Sequence, residues 1–342
     1  QDKKLPIEAF AGLKDFSQIK LSPNGENLSF VRNHKGTLVL MVKNLKTGDT
    51  KAILNADNRT VFFDWYSWAN DNVILLGARF IKYQFGGAKY TSTLLYSYNL
   101  TNKDGIKLAF RAVPSRDERQ PQFADRIVSF LPEQEDKILV QGDFTVPNNP
   151  AVYELDLNTL RKSKVQRQRN NVTDWFADRQ GNVRIAKKMD ETQFTYELLN
   201  AETGDWDTLF DYEVFSEQSI SILGFDKNPN LLYISALHNG RDALFRLNLT
   251  TKERELIYSN DKYDFDGSIF YSSKTGEVAG FTDSHIGDGV NYWDADLDKL
   301  HRSLRVSLPK DDYDIDILST TKDQQKYILC VSSAKSSGSY LL

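Results

Sequence analysis

The sequence predicts an all-β chain, a seven-bladed β-propeller with four-stranded antiparallel blades. Three observations carry that expectation. Short apolar or alternating runs bounded by Asn, Asp, Gly and Thr dominate, and helical periodicity is scarce. A strand–turn–strand unit recurs along the whole chain. A second turn signature, built from Asn, Thr and Gly, follows it in most units.

The first unit is "KLSPNGENLSFV". Leu21 closes a strand, Pro23-Asn24-Gly25 makes the turn, and Leu28 to Val31 begin the next strand. Equivalent units are "SWANDNVILL", "FLPEQEDKILV", "WFADRQGNVRI", "GFDKNPNLLYI", "FYSSKTGEVAGF" and "LSTTKDQQKYILC". The positions equivalent to Leu21 are Trp68, Leu131, Phe176, Phe225, Tyr271 and Leu318, at steps of 47, 63, 45, 49, 46 and 47 residues. The outer turns are "KNLKTGD", "YNLTNKDG", "LDLNTLR", "LNAETGDW" and "LNLTTKE", placed 24 or 25 residues after their markers in the units beginning at Leu21, Phe176 and Phe225. Two hairpins per unit make a blade, and one blade cannot bury both of its faces alone.

A single propeller domain over 1–342 follows, with approximate blades 17–60, 61–115, 116–170, 171–215, 216–262, 263–312 and 313–342. The long second step needs extra loop, for which "KYQFGGAKYTST" and "VPSRDERQPQ" are candidates. Leu297, Leu300 and Leu304 stand at helical spacing, so a short helix is expected after the sixth-blade strands. The last blade is expected to be incomplete, because Leu342 stands where its outer turn should come. An open sheet edge is a liability, which points to a native chain that continues. The reading leaves open a closing strand from the N-terminal "LPIEAFAGLKDF", which has a more helical pattern.

The 342 residues carry a formal net charge of −4, 40% hydrophobic and 26% charged residues. This is globular composition, with no apolar run long enough for a membrane-spanning helix and no basic surplus to attract nucleic acid. One cysteine excludes an internal disulfide, and four histidines leave little for a multi-histidine centre. No cofactor and no metal are therefore expected.

Individual residues offer few sites. Asp261, Asp264 and Asp266 resemble a calcium loop, but Lys262 and Ser273 occupy ligand positions, so turn-capping is expected. The basic run Arg161, Lys162, Lys164, Arg167 and Arg169 reads as a solvated hairpin. Arg111, Arg116, Asp117, Glu118 and Arg119 lie in a Pro-broken stretch that reads as an exposed connector; its rival role is holding a peptide terminus by charge. Arg79 and Lys82 have the same standing. His34, His238, His285 and His301 read as surface or packing residues, and Cys330 as a small buried hydrophobe. Asn27, Asn58, Asn99, Asn171 and Asn248 head Asn-x-Ser/Thr triplets, which turn composition alone explains. The five Trp, with Tyr and Phe, are expected to fill the wedges between blades.

The opening "LPIEAFAGLKDFSQIKLSPNGENLSFV" and the stretch "YDFDGSIFYSSKTGEVAGF" resemble the propeller of bacterial prolyl oligopeptidase-family serine peptidases, acylaminoacyl-peptidase-like members included. Asp264, Asp266, Gly267, Thr275, Gly276 and Gly280 fall on the sixth-blade pattern, and "YWDADLDKLHRSLRVSLP" is similar to the helical insertion that follows it. The resemblance implies a C-terminal α/β-hydrolase domain as partner, short peptides as substrate and a gating role for the propeller. It also implies that the catalytic residues lie outside this sequence, in which no Gly-x-Ser-x-Gly elbow occurs. Substrate-contacting residues stay unassigned. The alternatives are a stand-alone scaffold for protein partners and a propeller enzyme with an axial metal. No signal peptide is visible in a sequence that begins with Gln1, which leaves open a signal removed before Gln1 or a start inside a longer protein. A periplasmic or secreted location is the expectation, with a cytoplasmic one open.

Overall fold

Strands form here because β-branched and aromatic residues alternate with polar ones between strong turn formers. The computed structural model describes residues 15–84, 86–102, 104–216, 219–307, 313–333 and 336–342. The N-terminal "LPIEAFAGLK" and the end of the predicted helical stretch, 308–312, lie outside the described residues.

Seven antiparallel meander sheets follow one another along the chain. Their strands span 16–56 (sheet 1), 61–108 (sheet 2), 126–166 (sheet 3), 172–213 (sheet 4), 220–258 (sheet 5), 269–292 (sheet 6) and 313–341 (sheet 7). Sheets 1, 3, 4 and 5 are four-stranded meanders, and sheet 2 contains a four-stranded one; sheets 6 and 7 have three strands among the described residues. This is the fold class of a seven-bladed β-propeller. Six of the seven repeat markers fall in the first strand of their sheet, and Leu131 lies two residues beyond its strand Arg126–Ser129.

The outer turns share one chemical device. Asn44 Oδ1 accepts the amides of Lys46 and Thr47 at 2.9 Å each. Asp156 does the same for Asn158 and Thr159, Asn200 for Glu202 and Thr203, and Asn248 for Thr250 and Thr251. A side chain that mimics the next backbone carbonyl reverses the chain without a partner strand. The triplet asparagines belong to the same economy: Asn99 caps a turn, and Asn58 and Asn171 take left-handed backbone at φ 56° and 63°.

Sheet 2 absorbs its extra length in two ways. Its central hairpin, Val73–Tyr83 with Lys89–Asn99, has eleven residues on each side. The connector after it carries a short 3-10 turn, Pro114–Arg116. After sheet 6 the expected helix spans Ala295–Ser307. Asp294 caps it, accepting the amides of Asp296 at 3.0 Å and Leu297 at 3.1 Å. Leu297 and His301 form its buried face.

The chain divides into two compact units, 1–109 with 316–330 and 339–342, and 110–315 with 331–338. In the first unit, Val31, Leu40, Tyr66, Ile74 and Leu76 form the core between sheets 1 and 2. The Trp68 indole donates to Ser29 Oγ at 2.9 Å. Sheet 7 packs beside sheet 1: Ile328 meets Ile19 and Leu21, and the Leu21 amide donates to Ser319 Oγ at 3.0 Å. Gly25, at φ +69°, lies so close to Thr321 that an added Cβ would come within 2.6 Å of its methyl. In the second unit, Val152, Val172 and Trp175 fill the space between sheets 3 and 4, and Tyr196, Phe225 and Ile234 that between sheets 4 and 5. Each such fully buried aliphatic contributes about 1.5–3 kcal/mol. Buried Gln141 ties sheet 3 to sheet 4, accepting the Trp175 amide at 3.0 Å and donating to the Thr173 carbonyl at 3.1 Å. Trp293, 39% exposed, still packs between sheets 5 and 6, its ring 5.7 Å from that of Tyr233 and 5.8 Å from that of Phe281.

Candidate functional site

The innermost strand of a blade has a neighbour on one side only, so its free edge faces whatever space the blades leave. In the second unit the first strands of sheets 3, 4, 5 and 6 line a cavity of about 500 Å³. Such a volume is ordinary for a ligand site. Its walls are mainly apolar, with Phe130, Pro132, Phe176, Ile222 and Phe225 beside Tyr271. Two charged residues, Asp178 and Arg179, reach it.

Asp178 serves the backbone. It is buried and accepts the amides of Gln180 at 3.1 Å and Asn182 at 2.8 Å. Gly181 completes this turn at φ +90°, against Leu131. The turn holds Arg179 in place. Its guanidinium lies 3.9 Å from the centre of the Tyr271 ring, and its buried Nε has no hydrogen-bond partner. Tyr271 is fixed in turn, its hydroxyl donating to the Phe225 carbonyl at 2.8 Å. Burial pushes this phenol up to about 12, with Arg179 acting in the opposite sense. Gly224 admits the phenol, since a Cβ there would stand 2.4 Å from the hydroxyl oxygen. An arginine stacked on an aromatic face with an unused N–H suits a carboxylate or carbonyl oxygen, and the apolar walls suit uncharged side chains.

Sequence reasoning missed Arg179. The available signal was slight: among the seven turns, only this one and that of Lys274 place a cation three residues after the marker.

The stretch expected to be an exposed connector is pinned. Glu118 and Lys162 form an ion pair at 2.6 Å with side chains 7% and 5% exposed. Lys162 also donates to the Arg111 carbonyl at 2.6 Å, and Glu118 accepts the Val113 amide at 2.8 Å. The ammonium lies 4.1 Å from the Phe144 ring, in a nest of Phe110, Phe144 and Tyr153. Burial lowers its pKa, and Glu118 counters that. A charge count along a strand does not show which lysine turns inward. Arg119 pairs with Asp143. Arg111, Arg116 and Asp117 are exposed.

The basic run is not wholly solvated either. Arg169 binds Glu197 at 2.5 Å and covers the Trp206 ring. Arg161, Lys164 and Arg167 are exposed. In the first unit Arg79 pairs with Asp64 at 3.1 Å over the Phe62 ring, and Lys82 is exposed. Asp264 caps the Asp242 amide at 3.0 Å, Asp261 is exposed, and Asp266 turns to Ser284. His34 is exposed, His238 lies beside Phe245, and His301 is buried against Tyr292. Cys330 is half-buried and not the core residue expected.

No family model and no curated protein matches the sequence. Solved structures do. The chain is similar to Porphyromonas gingivalis dipeptidyl peptidase 4, with 12% identity and a TM-score of 0.46 over 94% of this chain and 50% of that one. It is similar to Pyrococcus horikoshii acylaminoacyl peptidase, with 13% identity and a TM-score of 0.43 over 93% and 50%. It is also similar to an oligogalacturonate lyase solved in complex with manganese, with 11% identity and a TM-score of 0.45 over 96% and 77%. The chain spans half the length of the two peptidases.

Proposed function

We propose that this chain is the non-catalytic, substrate-gating propeller of a prolyl oligopeptidase-family serine peptidase that hydrolyses short peptides. One observation carries the reading. Sheet 6 is built from the stretch that carries the resemblance, with Gly267 in the loop that enters it, Thr275 and Gly276 in its first turn and Gly280 in its second strand, and among the described residues the chain forms the helix Ala295–Ser307 where a fourth strand would follow. The repeat also leaves an apolar cavity with one stacked guanidinium on the inner strands of sheets 3–6. A cavity of that size takes a few side chains of an extended peptide and excludes a folded domain. In this reading Arg179 holds a carboxylate or carbonyl oxygen of the peptide, and the partner hydrolase domain supplies the nucleophile.

The test is made on the native protein in its source cells, with an antibody raised against this chain. The expected species is heavier by a domain of about 200–250 residues, and a fluorophosphonate serine probe labels it. A native species of the present size that ignores the probe would overturn the reading.

A further inference from the structure

The loop entering sheet 6 and the turn after its second strand meet at one point. Gly267 fixes the meeting, because a Cβ there would fall 1.5 Å from the Thr282 carbonyl oxygen. The Thr282 amide donates to the Ser268 carbonyl at 2.8 Å. The neighbours of this contact, Asp266 on one side and Asp283 and His285 on the other, therefore converge. One donor atom from each lies within 4.8 Å of the other two.

Asp283 is 2% exposed, and its Oδ2 is buried without a hydrogen-bond partner. Its Oδ1 accepts the His285 amide at 2.8 Å and lies 3.6 Å from His285 Nδ1, too far for a hydrogen bond. A buried carboxylate oxygen left unpaired is costly, which makes this an observation needing an occupant. The other two residues are already oriented. Asp266 accepts the Ser284 amide at 3.0 Å and the Ser284 hydroxyl at 2.5 Å. The His285 ring stacks on Tyr263 with centroids 4.1 Å apart. The one Ser284 hydroxyl proton is committed to Asp266, so it cannot also be donated to His285 Nδ1 at 3.2 Å. That leaves the Nδ1 lone pair open in the tautomer protonated on Nε2.

We propose that Asp266, Asp283 and His285 form a divalent-cation site that clasps the loop entering sheet 6 to the turn after its second strand. Two carboxylates and an imidazole suit a zinc-like transition ion; calcium prefers six to eight oxygens. The site is separate from the cavity of Arg179, and it stands or falls independently of the peptidase reading.

The experiment is calorimetric titration of the chelator-stripped chain with zinc chloride, with calcium chloride in parallel. One zinc per chain is expected, with an accompanying rise in the unfolding midpoint. His285→Gln and Asp283→Asn should each weaken zinc binding by at least tenfold and abolish the midpoint rise. The His285 side chain is 29% exposed, so its variant should fold as the parent does, checked by circular dichroism. It carries the test if the buried Asp283 variant does not fold. Absence of stoichiometric zinc uptake, undiminished binding in folded His285→Gln, or preference for calcium would each overturn the proposal.

Discussion

Sheets 5 and 6 are neighbours in one compact unit and share a side-chain core of Tyr233, Leu244, Phe265, Ile269, Val278 and Phe281, but they differ in strand length and in how closely backbone meets backbone. Sheet 5 has strands of six, eight, eight and five residues, and its core is made of side chains: Leu232, Ile234, Leu244 and Phe245 are buried. Sheet 6 has strands of three, five and three residues, and its tightest contacts are made where side chains are missing. Gly280, at φ +151°, packs against the Asn291 carbonyl, and Gly267 against that of Thr282. A blade filled by side chains tolerates change at its turns and fails when its core is emptied. A blade that adds backbone-to-backbone contact to its side-chain core, as sheet 6 does, also fails where a Cβ is added at those contacts.

The largest effect should come from Gly280→Ala. The new Cβ would lie 2.1 Å from the Asn291 carbonyl oxygen, and clash plus positive-φ strain should cost about 4 kcal/mol. Denaturant unfolding measures it, and a loss below 1 kcal/mol would break the contrast. In sheet 5, Leu244→Ala should cost about 3 kcal/mol, by the opposite route of an emptied core. Asp294→Ala removes the helix cap that follows sheet 6 and should cost about 1 kcal/mol, restored in part by Asn or Ser. Gly240→Ala sits in the tight Asn239-Gly240 turn of sheet 5 at φ +81° with open space around it. It should cost no more than about 1–2 kcal/mol, from the backbone alone.

Tyrosine titration sharpens the comparison further. Burial raises Tyr233 of sheet 5 above its ordinary range and pushes Tyr271 of sheet 6 up to about 12. Unfolded tyrosines ionise near 10, so the unfolded state releases these protons first. The resulting stability is fully present below about pH 10 and is lost as pH rises toward 12. Absorbance at 295 nm should show these phenols ionising late, and the unfolding midpoint should fall through that window. Tyr271→Phe should flatten the fall.

The repeat was legible because it is local. Turn formers sit beside the strands they join, so Leu21, Trp68 and their equivalents could be placed by spacing. The helix was legible for the same reason, from Leu297, Leu300 and Leu304. What escaped depends on contacts across the sequence. Lys162 turns inward because Glu118, 44 residues earlier, waits beside the Phe144 ring. Asp266 and His285 meet because register places Ser268 beside Thr282. Arg179 matters because Tyr271 arrives from another sheet. Charge runs and lone histidines average over faces that only packing separates.

The contact between Leu21 and Ser319 has a kinetic consequence. Its partners are 298 residues apart. At about 5–20 residues per second of synthesis, the first sheet waits roughly 15–60 s for its neighbour. During that time Ile19 and Leu21 lack the Ile328 side chain that later covers them. The first sheet therefore carries an exposed apolar edge until the seventh sheet has been synthesised, and the pairing of the two is a late step of folding.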